Sequence, residues 1–400
     1  MSTKTLERPQ VQSKLKIIDA DTHLTEPHDL WIKRAPAALR DRVPQVKMHN
    51  GQRSWIIDGD KLIGLGAHPS SAIRKDGSKV RILDDFMHLK FEDIHPGSFD
   101  VKARLKVMDD NGIWAHIVYP NVLGFGGQAS AKVDPALRLI CVQIFNDAMA
   151  ELQQESGQRL FPMALLPWWD IQEAVRETER AYKLGLRGIN INSDPHFHTD
   201  AQGEKIPDLA SPHWDPLWEI CQDLALPINF HIGASEQSMD WLGQQGWPSL
   251  SRSLQAGLGG AMLFFNNGRV MSNIIYSGAL DRYPGLKFVS VESGIGWVPF
   301  MLEALEYQLA EIAEDMKFGL TPKEYFKRNF YACFWFEKSD ISNMIRSVGV
   351  DNVMFETDFP HPTGLYPIDN TELRLSSLTS EERAKVMSLN AAKLYNISLD

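Results

Sequence analysis

Near its start this 400-residue chain carries Asp21-Thr22-His23, and near its end Asp358 and His361, all residue types that bind metals or move protons. Asp21 and His23 are two apart, so in an extended strand both point to the same side and offer an oxygen and a nitrogen together. His231 and Asp358 end later apolar runs and add a second nitrogen and a second carboxylate, a set suited to Zn²⁺, Mn²⁺ or Fe²⁺. Such an ion polarises a carbonyl or lowers the pKa of bound water to about 7. Glu292 ends another run, beside Trp297. Burial there raises its pKa and a nearby cation lowers it, which makes it a candidate general acid or base. His361 is read as a substrate or second-metal contact, with a structural turn residue as the alternative. Singly, each His would be hydrogen-bonded core and each Asp a turn cap; their coincidence at strand ends argues for a metal.

These groups need a scaffold, and eight apolar, β-branched runs supply one: 17–21, 115–119, 163–167, 188–191, 228–231, 288–292, 330–335 and 353–358. Each is apolar enough for burial on both faces. Amphipathic stretches at 101–111, 135–156, 171–184, 214–224, 268–282, 299–316, 339–347 and 380–394 read as helices between and after them. Strand-then-helix repeated in this way is the α/β pattern of a (β/α)₈ TIM barrel, with an open doubly wound sheet as the alternative. Reactive groups in such a barrel stand at the C-terminal ends of the strands. A single metal-dependent barrel domain is expected over 15–400, with 24–99 as a long insertion after the first strand. That insertion contains a hairpin at 55–63 and is expected to cap the barrel mouth. Connections at 193–213 and 233–260 are read as long loops over the same face, His116 as core, His196 and His198 as a solvated loop, and Trp168-Trp169 as a rim seal.

The local texts add a resemblance. Asp19-Ala20-Asp21-Thr22-His23 with Glu26-Pro27, Phe230-His231-Ile232-Gly233, Asp281-Arg282-Tyr283-Pro284-Gly285-Leu286-Lys287, Glu292-Ser293-Gly294-Ile295-Gly296-Trp297-Val298-Pro299, Glu356-Thr357-Asp358-Phe359-Pro360-His361 and Asn390-Ala391-Ala392-Lys393-Leu394-Tyr395 together resemble the amidohydrolase superfamily. The similarity is to the branch containing aminocarboxymuconate-semialdehyde decarboxylase and resorcylate decarboxylase, over about residues 17–396. It implies that Asp21, His23, His231 and Asp358 hold a metal. Two departures stand out. Glu292-Ser293-Gly294 replaces a His-Gly-Gly-Gly text, which puts in doubt a decarboxylase mechanism resting on that His. Asp-x-His also replaces the commoner His-x-His, giving a harder ligand set that favours manganese or iron over zinc. Residues 186–192 contain no Lys, so a carbamylated-lysine bridge is excluded, and a second metal would draw on Glu26, Glu292 and His361.

Forty-one Lys+Arg against 51 Asp+Glu give a net charge of −10, the wrong sign for tracking nucleic acid or an anionic membrane. The expected partner is a small molecule. Cys141, Cys221 and Cys333 are widely spaced packing residues, which fits a reduced, cytoplasmic setting. Residues 1–14 read as a polar, flexible arm without the apolar run of a signal peptide, and no run is long enough to span a bilayer. A homo-oligomer, or assembly with a homologous subunit, is expected through outer helices, with Trp241 and Trp247 in 233–260 as a candidate contact. The combined reading is a metal-dependent hydrolase or non-oxidative decarboxylase (C–C lyase) acting on a small carboxylated or carbonyl-bearing compound. It uses one divalent ion per chain, with Asp358, Glu292 and His361 as the acid–base groups. A reading from another class is a dinuclear iron or iron–manganese oxygenase on the same barrel, with Glu26 and Glu292 as extra oxygen ligands; a third is a non-catalytic partner subunit.

Overall fold

Strand β1, Ile17–His23, is buried from its second residue onward on both faces, its Asp19, Asp21 and His23 included. The computed structural model describes residues 15–64, 67–68, 70–243, 246–368 and 374–399, so the expected arm at 1–14 lies outside the described residues. β1 is followed by β2 (Gln45–His49), β3 (Gln52–Ile57), β4 (Lys61–Leu62), β5 (Ile113–Tyr119), β6 (Leu160–Pro162), β7 (Ile189–Asn190), β8 (Ile228–His231), β9 (Phe288–Val291), β10 (Phe330–Phe334) and β11 (Val353–Phe355).

Eight of these strands run parallel in two ladders, β1-β5-β6 and β11-β10-β9-β8-β7. Isolated parallel bridges lie between them at both edges, Ala164 to Ile189 and Thr22 to Phe359. At the second edge the His23 amide donates to the Phe359 carbonyl at 2.8 Å and the Asp358 amide to the Asp21 carbonyl at 2.9 Å. Two strand ends carrying candidate ligands are thereby clamped side by side. Between Asp19 and Thr22 the β1–β5 register shifts, a local irregularity of the kind that re-aims side chains next to functional sites.

Helices follow the strands. Ile171–Leu184 matches its expected bounds because both stop signals are local: the Asp170 side chain accepts from the Gln172 and Glu173 amides, and Gly185 takes a left-handed φ of 98°. Val101–Asp110 and Pro135–Glu155 are likewise capped by Asp100 and Asp134. Elsewhere the expectations need correction. The strand placed at 163–167 lies at Leu160–Pro162, and only Ala164 of the expected run makes a bridge. The whole stretch is buried and apolar, so periodicity does not set its register. The 233–260 loop is instead helix Glu236–Gly243 followed by the first turns of Arg252–Tyr276, capped by Ser251. Helix Pro322–Asn329, entered through a Thr321/Glu324 capping box, was not expected, and the last helix is interrupted by a π-turn at Lys385–Leu389.

Within 24–99, β2, β3 and β4 form an antiparallel sheet, one strand more than the expected hairpin. Its Trp31 and Trp55 join the same apolar cluster as Phe145, Leu165 and Phe288. The segment bonds to loops that follow strands: the Ala72 amide donates to Pro360 at 2.8 Å, Lys79 Nζ donates to the Gly364 carbonyl, and Lys132 Nζ donates to Leu62 at 2.9 Å. Ile18, Ala20, Ala115, Ile117, Val289 and Met354 make a second cluster, packed with Leu394, Tyr395 and Ile397. The three cysteines are buried free thiols, and burial pushes Cys141 up to about 12, as expected of packing residues. Among the described residues no helix is long and apolar enough to cross a membrane.

Candidate metal centre

Asp21 and His23 leave β1 on one side, as their spacing requires, with His23 Nε2 3.5 Å from Asp21 Oδ1. His231, the last residue of β8, brings its Nε2 to 3.2 Å from His23 Nε2 and 3.6 Å from Asp21 Oδ1. Glu292 Oε2 lies 3.4 Å from His231 Nε2, and Asp358 Oδ1 lies 3.6 Å from His23 Nε2. His361 Nδ1 reaches Asp358 Oδ1 at 2.9 Å while its ring stacks on His23 with centroids 3.7 Å apart. Ligands held about 2.0–2.1 Å from one ion stand roughly 3–3.4 Å from each other, close to these separations.

Local structure accounts for the aim of each group. His231 Nδ1 lies 2.7 Å from its neighbour's Ile232 carbonyl, an acceptor only, so Nδ1 carries the proton and Nε2 turns its lone pair inward. Glu292 and Asp358, each just past a strand, both adopt a φ of 56°, a left-handed conformation that costs a non-glycine residue about 1–3 kcal/mol. Thr363 Oγ1 donates to Asp358 Oδ2 at 3.0 Å, and the Glu292 amide donates to Glu356 Oε2 at 3.2 Å. Phe125 covers the histidines, its ring centroid 4.2 Å from His231 and 5.2 Å from His23. It is set by a loop in which Gly126 is obligatory, since a Cβ there would meet the Ala234 carbonyl oxygen at 2.5 Å.

The electrostatics call for a cation. Burial and the mutual repulsion of Asp358 and Glu292 push the Glu292 carboxyl well above its ordinary range; burial and Asp21 do the same to Asp358. Burial depresses His23 strongly and takes His361 down to about 3, whereas for His231 the burial effect is outweighed by Asp21 and Glu292 and the pKa rises. Both Asp21 carboxylate oxygens are buried with no hydrogen-bond partner, an arrangement that leaves desolvation uncompensated unless an ion sits among them. The donor set therefore fits a divalent metal. Two overlapping groups offer ligand atoms at metal-site separations: Asp21, His23, His231 and Glu292, and His23, Glu292, Asp358 and His361. Glu292, 6% exposed, and His361, 8% exposed, keep the most solvent access of the six, which puts them on the open side.

Five of the six residues expected as metal ligands thus converge, and His361 joins them. Glu26 lies outside the cluster: its carboxylate accepts the Asn121 amide at 2.7 Å and the Val122 amide at 3.1 Å. Trp168 and Trp169 are buried, consistent with the rim-seal reading, and His198 packs 5.0 Å from Trp168. His116 is core, as expected. Asn121, Thr363, Glu356 and Phe125 were not singled out from sequence. Asn121 and Phe125 follow the end of β5, where the rule of looking beyond strand ends points, but a neutral amide and an apolar ring carry no ligand signal.

Residues 18–397 match the family model described as amidohydrolase. The gamma-resorcylate decarboxylase of Polaromonas sp. strain JS666 is 27% identical over 312 residues, covering 74% of this chain and 87% of that one. An amidohydrolase of Mycobacterium avium subsp. paratuberculosis superposes with a TM-score of 0.74 at 21% identity, covering 96% of this chain and 100% of that one. The Polaromonas dihydroxybenzoic acid decarboxylase, solved with bound manganese and the inhibitor 2-nitroresorcinol, gives 0.58 at 20% identity, covering 96% and 97%. These likenesses establish the TIM-barrel class of α/β fold, and with the family match across nearly its whole length the chain belongs to the amidohydrolase family.

Proposed function

We propose that this protein is a metal-dependent enzyme that removes a carboxyl group from a small aromatic acid without oxidation. The observation that carries the reading is the convergence of Asp21, His23, His231, Glu292, Asp358 and His361 on one buried point under Phe125. Asp21, His23, His231 and Asp358 would hold the ion, which when bound supplies a Lewis acid that orients an anionic substrate. Two of the proteins named above support the substrate class, since their names give hydroxylated benzoates as substrates, and one of them was solved with manganese bound. In the reaction the ring-to-carboxyl bond breaks, its electron pair stays on the ring carbon, that carbon takes a proton and CO₂ leaves. Glu292 is the proton source that best fits. Burial and the neighbouring Asp358 raise its affinity for a proton, it is on the open side, and it occupies the strand end where the resembled decarboxylases carry a histidine. Phe125 would pack against the substrate ring and exclude water.

A second reading, a dinuclear oxygenase, is favoured by one observation: the two overlapping ligand groups together offer six carboxylate or imidazole donor residues, a set that would hold a second ion. One experiment separates them. Manganese-loaded protein is incubated with gamma-resorcylate and related hydroxybenzoates with and without dioxygen, following CO₂ and O₂. CO₂ release independent of O₂ supports decarboxylation; turnover that stops without O₂ replaces it with the oxygenase.

We also infer that the two ladders form one closed (β/α)₈ barrel in a single domain from residue 15 to 400, with 24–99 covering its mouth. The bridges at both edges and the bonds from 24–99 to post-strand loops support this. The stretch of helix Arg252–Tyr276 between its two arginines carries no charge and exposes Leu254, Leu258 and Phe265, which supports a homo-oligomer or assembly with a homologous subunit. Three buried free thiols support a reducing, cytoplasmic setting.

A further inference from the structure

The Asn121 side chain stands between Glu26 and His361. Its Nδ2 lies 3.0 Å from the Leu24 carbonyl and 3.3 Å from Glu26 Oε2, while its Oδ1 lies 2.9 Å from His361 Nε2. The amide orientation is forced. Reversing it would set the amide oxygen against a carbonyl and a carboxylate, both acceptors. The main chain of Asn121 is held as well, through its amide hydrogen bond to Glu26 Oε1.

With the amide oxygen facing it, His361 Nε2 must be the donor. In a neutral imidazole the other nitrogen then carries the lone pair, and that nitrogen is the one 2.9 Å from Asp358 Oδ1. Two acceptors this close need a cation or a proton between them. The ring is also fixed in plane by its stack on His23.

We propose that Asn121, anchored by Leu24 and Glu26, is a positioning residue that locks His361 in the Nε2–H tautomer and presents Nδ1 as a ligand atom to the metal centre. Glu26 then acts two contacts away from the ion and not on it. His361 changes role with this: an imidazole whose Nε2 proton is held by an amide oxygen and whose Nδ1 faces the ion is a ligand, leaving Glu292 as the mobile proton. The inference rests on the reading that the cluster binds a divalent cation. Partners of this kind, one bond behind a ligating histidine, change metal affinity by about 10- to 100-fold when removed.

The test uses full-length metal-free protein with nitrogen-labelled histidine, in which long-range proton–nitrogen NMR distinguishes the two tautomers, and His361→Gln assigns the signal. Mn²⁺ affinity is measured by calorimetry alongside. Wild type is expected to show His361 protonated at Nε2. Asn121→Ala should lose that single tautomer and bind Mn²⁺ about 10- to 100-fold more weakly. Glu26→Gln, whose amide oxygen can still accept the backbone amides, should keep the tautomer and lose less than Asn121→Ala. A wild-type His361 protonated at Nδ1, or unchanged Mn²⁺ affinity in Asn121→Ala, overturns the proposal. If wild type binds neither Mn²⁺ nor Zn²⁺, the metal-centre reading itself fails and the ligand role of Nδ1 with it, a result distinct from the tautomer measurement.

Discussion

Two buried clusters of aspartate and histidine share strand β1, and they are built on opposite principles. Around Asp19 every group has a protein partner. Asp19 accepts hydrogen bonds from the Thr357 amide at 2.9 Å and the Thr357 hydroxyl at 2.5 Å, and His116 Nε2 lies 3.8 Å away. Behind His116 stands the buried Arg104, whose guanidinium contacts His116 Nδ1 at 3.3 Å and the Gly97 and His23 carbonyls. Around Asp21, two residues on, the carboxylate has no hydrogen-bond partner, two histidine Nε2 atoms face each other at 3.2 Å, and among the described residues no lysine or arginine forms an ion pair with the clustered side chains, Lys79 acting on Asp358 only from a distance. The first cluster carries its own cation and holds β1 to β11. The second lacks one, and its chemistry is complete only with an ion supplied from outside.

The strongest way to break this contrast is to remove a ligand. His231→Ala or Asp358→Ala should abolish metal binding and activity together, read as metal per chain by plasma mass spectrometry on untagged protein; full metal content in either variant would refute the site assignment. A loss well beyond about 100-fold in affinity is expected, since that is the upper range for removing only a supporting partner. Substituting the built-in cation should act on the other variable. Arg104→Met leaves buried acceptors and His116 without a donor and should destabilise the fold by about 3–5 kcal/mol in denaturant titrations, with or without metal. An Arg104→Met protein of unchanged stability would mean that the first cluster does not depend on its cation.

Asp21→Asn sharpens the comparison further, because its effect should reverse with metal. In chelator-treated protein the substitution removes a buried carboxylate whose oxygens have no hydrogen-bond partner, and stability should rise, by about 1–3 kcal/mol. In metal-loaded protein it removes a ligand and stability should fall. Thermal melts with and without Mn²⁺ decide it, and a shift of the same sign in both states would count against an ion at Asp21.

The contrast also explains what could be read without a structure. Asp21, His23, His231, Glu292 and Asp358 were legible because ionisable residues ending apolar runs are unusual and strand geometry sends them to one face. Helix Ile171–Leu184 was legible because its caps are encoded within a residue of each end. Illegible were features that depend on what a side chain meets across the fold. Glu26 has the residue type and proximity of a ligand, yet backbone amides of the β5 loop claim it. Asn121 carries no charge to draw notice, and nothing in the spacing of helix Val101–Asp110 marks Arg104 as buried. Gly-rich 233–260 looked like loop by propensity, whereas Gly259 is tolerated in the helix because a Cβ there would strike the Leu242 carbonyl oxygen at 1.9 Å.

The smallest expected effect is a change of slope. Burial pushes Asp19 up to about 8 against the pull of its Thr357 hydrogen bonds, whereas in the unfolded chain it titrates near 3.8. Between those values the folded state binds the proton more tightly, so this contribution to stability is full below pH 3.8 and is lost as pH rises through about 8. Asparagine resembles the protonated acid: its oxygen can accept the Thr357 and Asp21 amides, and its nitrogen can donate to the Thr357 hydroxyl. Asp19→Asn should therefore fold, and between pH 5 and 8 the stability of the metal-free protein should fall less steeply than in wild type, by at most about 1.4 kcal/mol per pH unit. The acids around Asp21 contribute slopes of the same sign in metal-free protein, and saturating Mn²⁺ should suppress theirs while leaving that of Asp19 in place. Urea melts across that range, with and without metal, separate the two clusters: a wild-type slope that vanishes entirely on adding Mn²⁺ would mean that Asp19 does not titrate independently of the metal ligands.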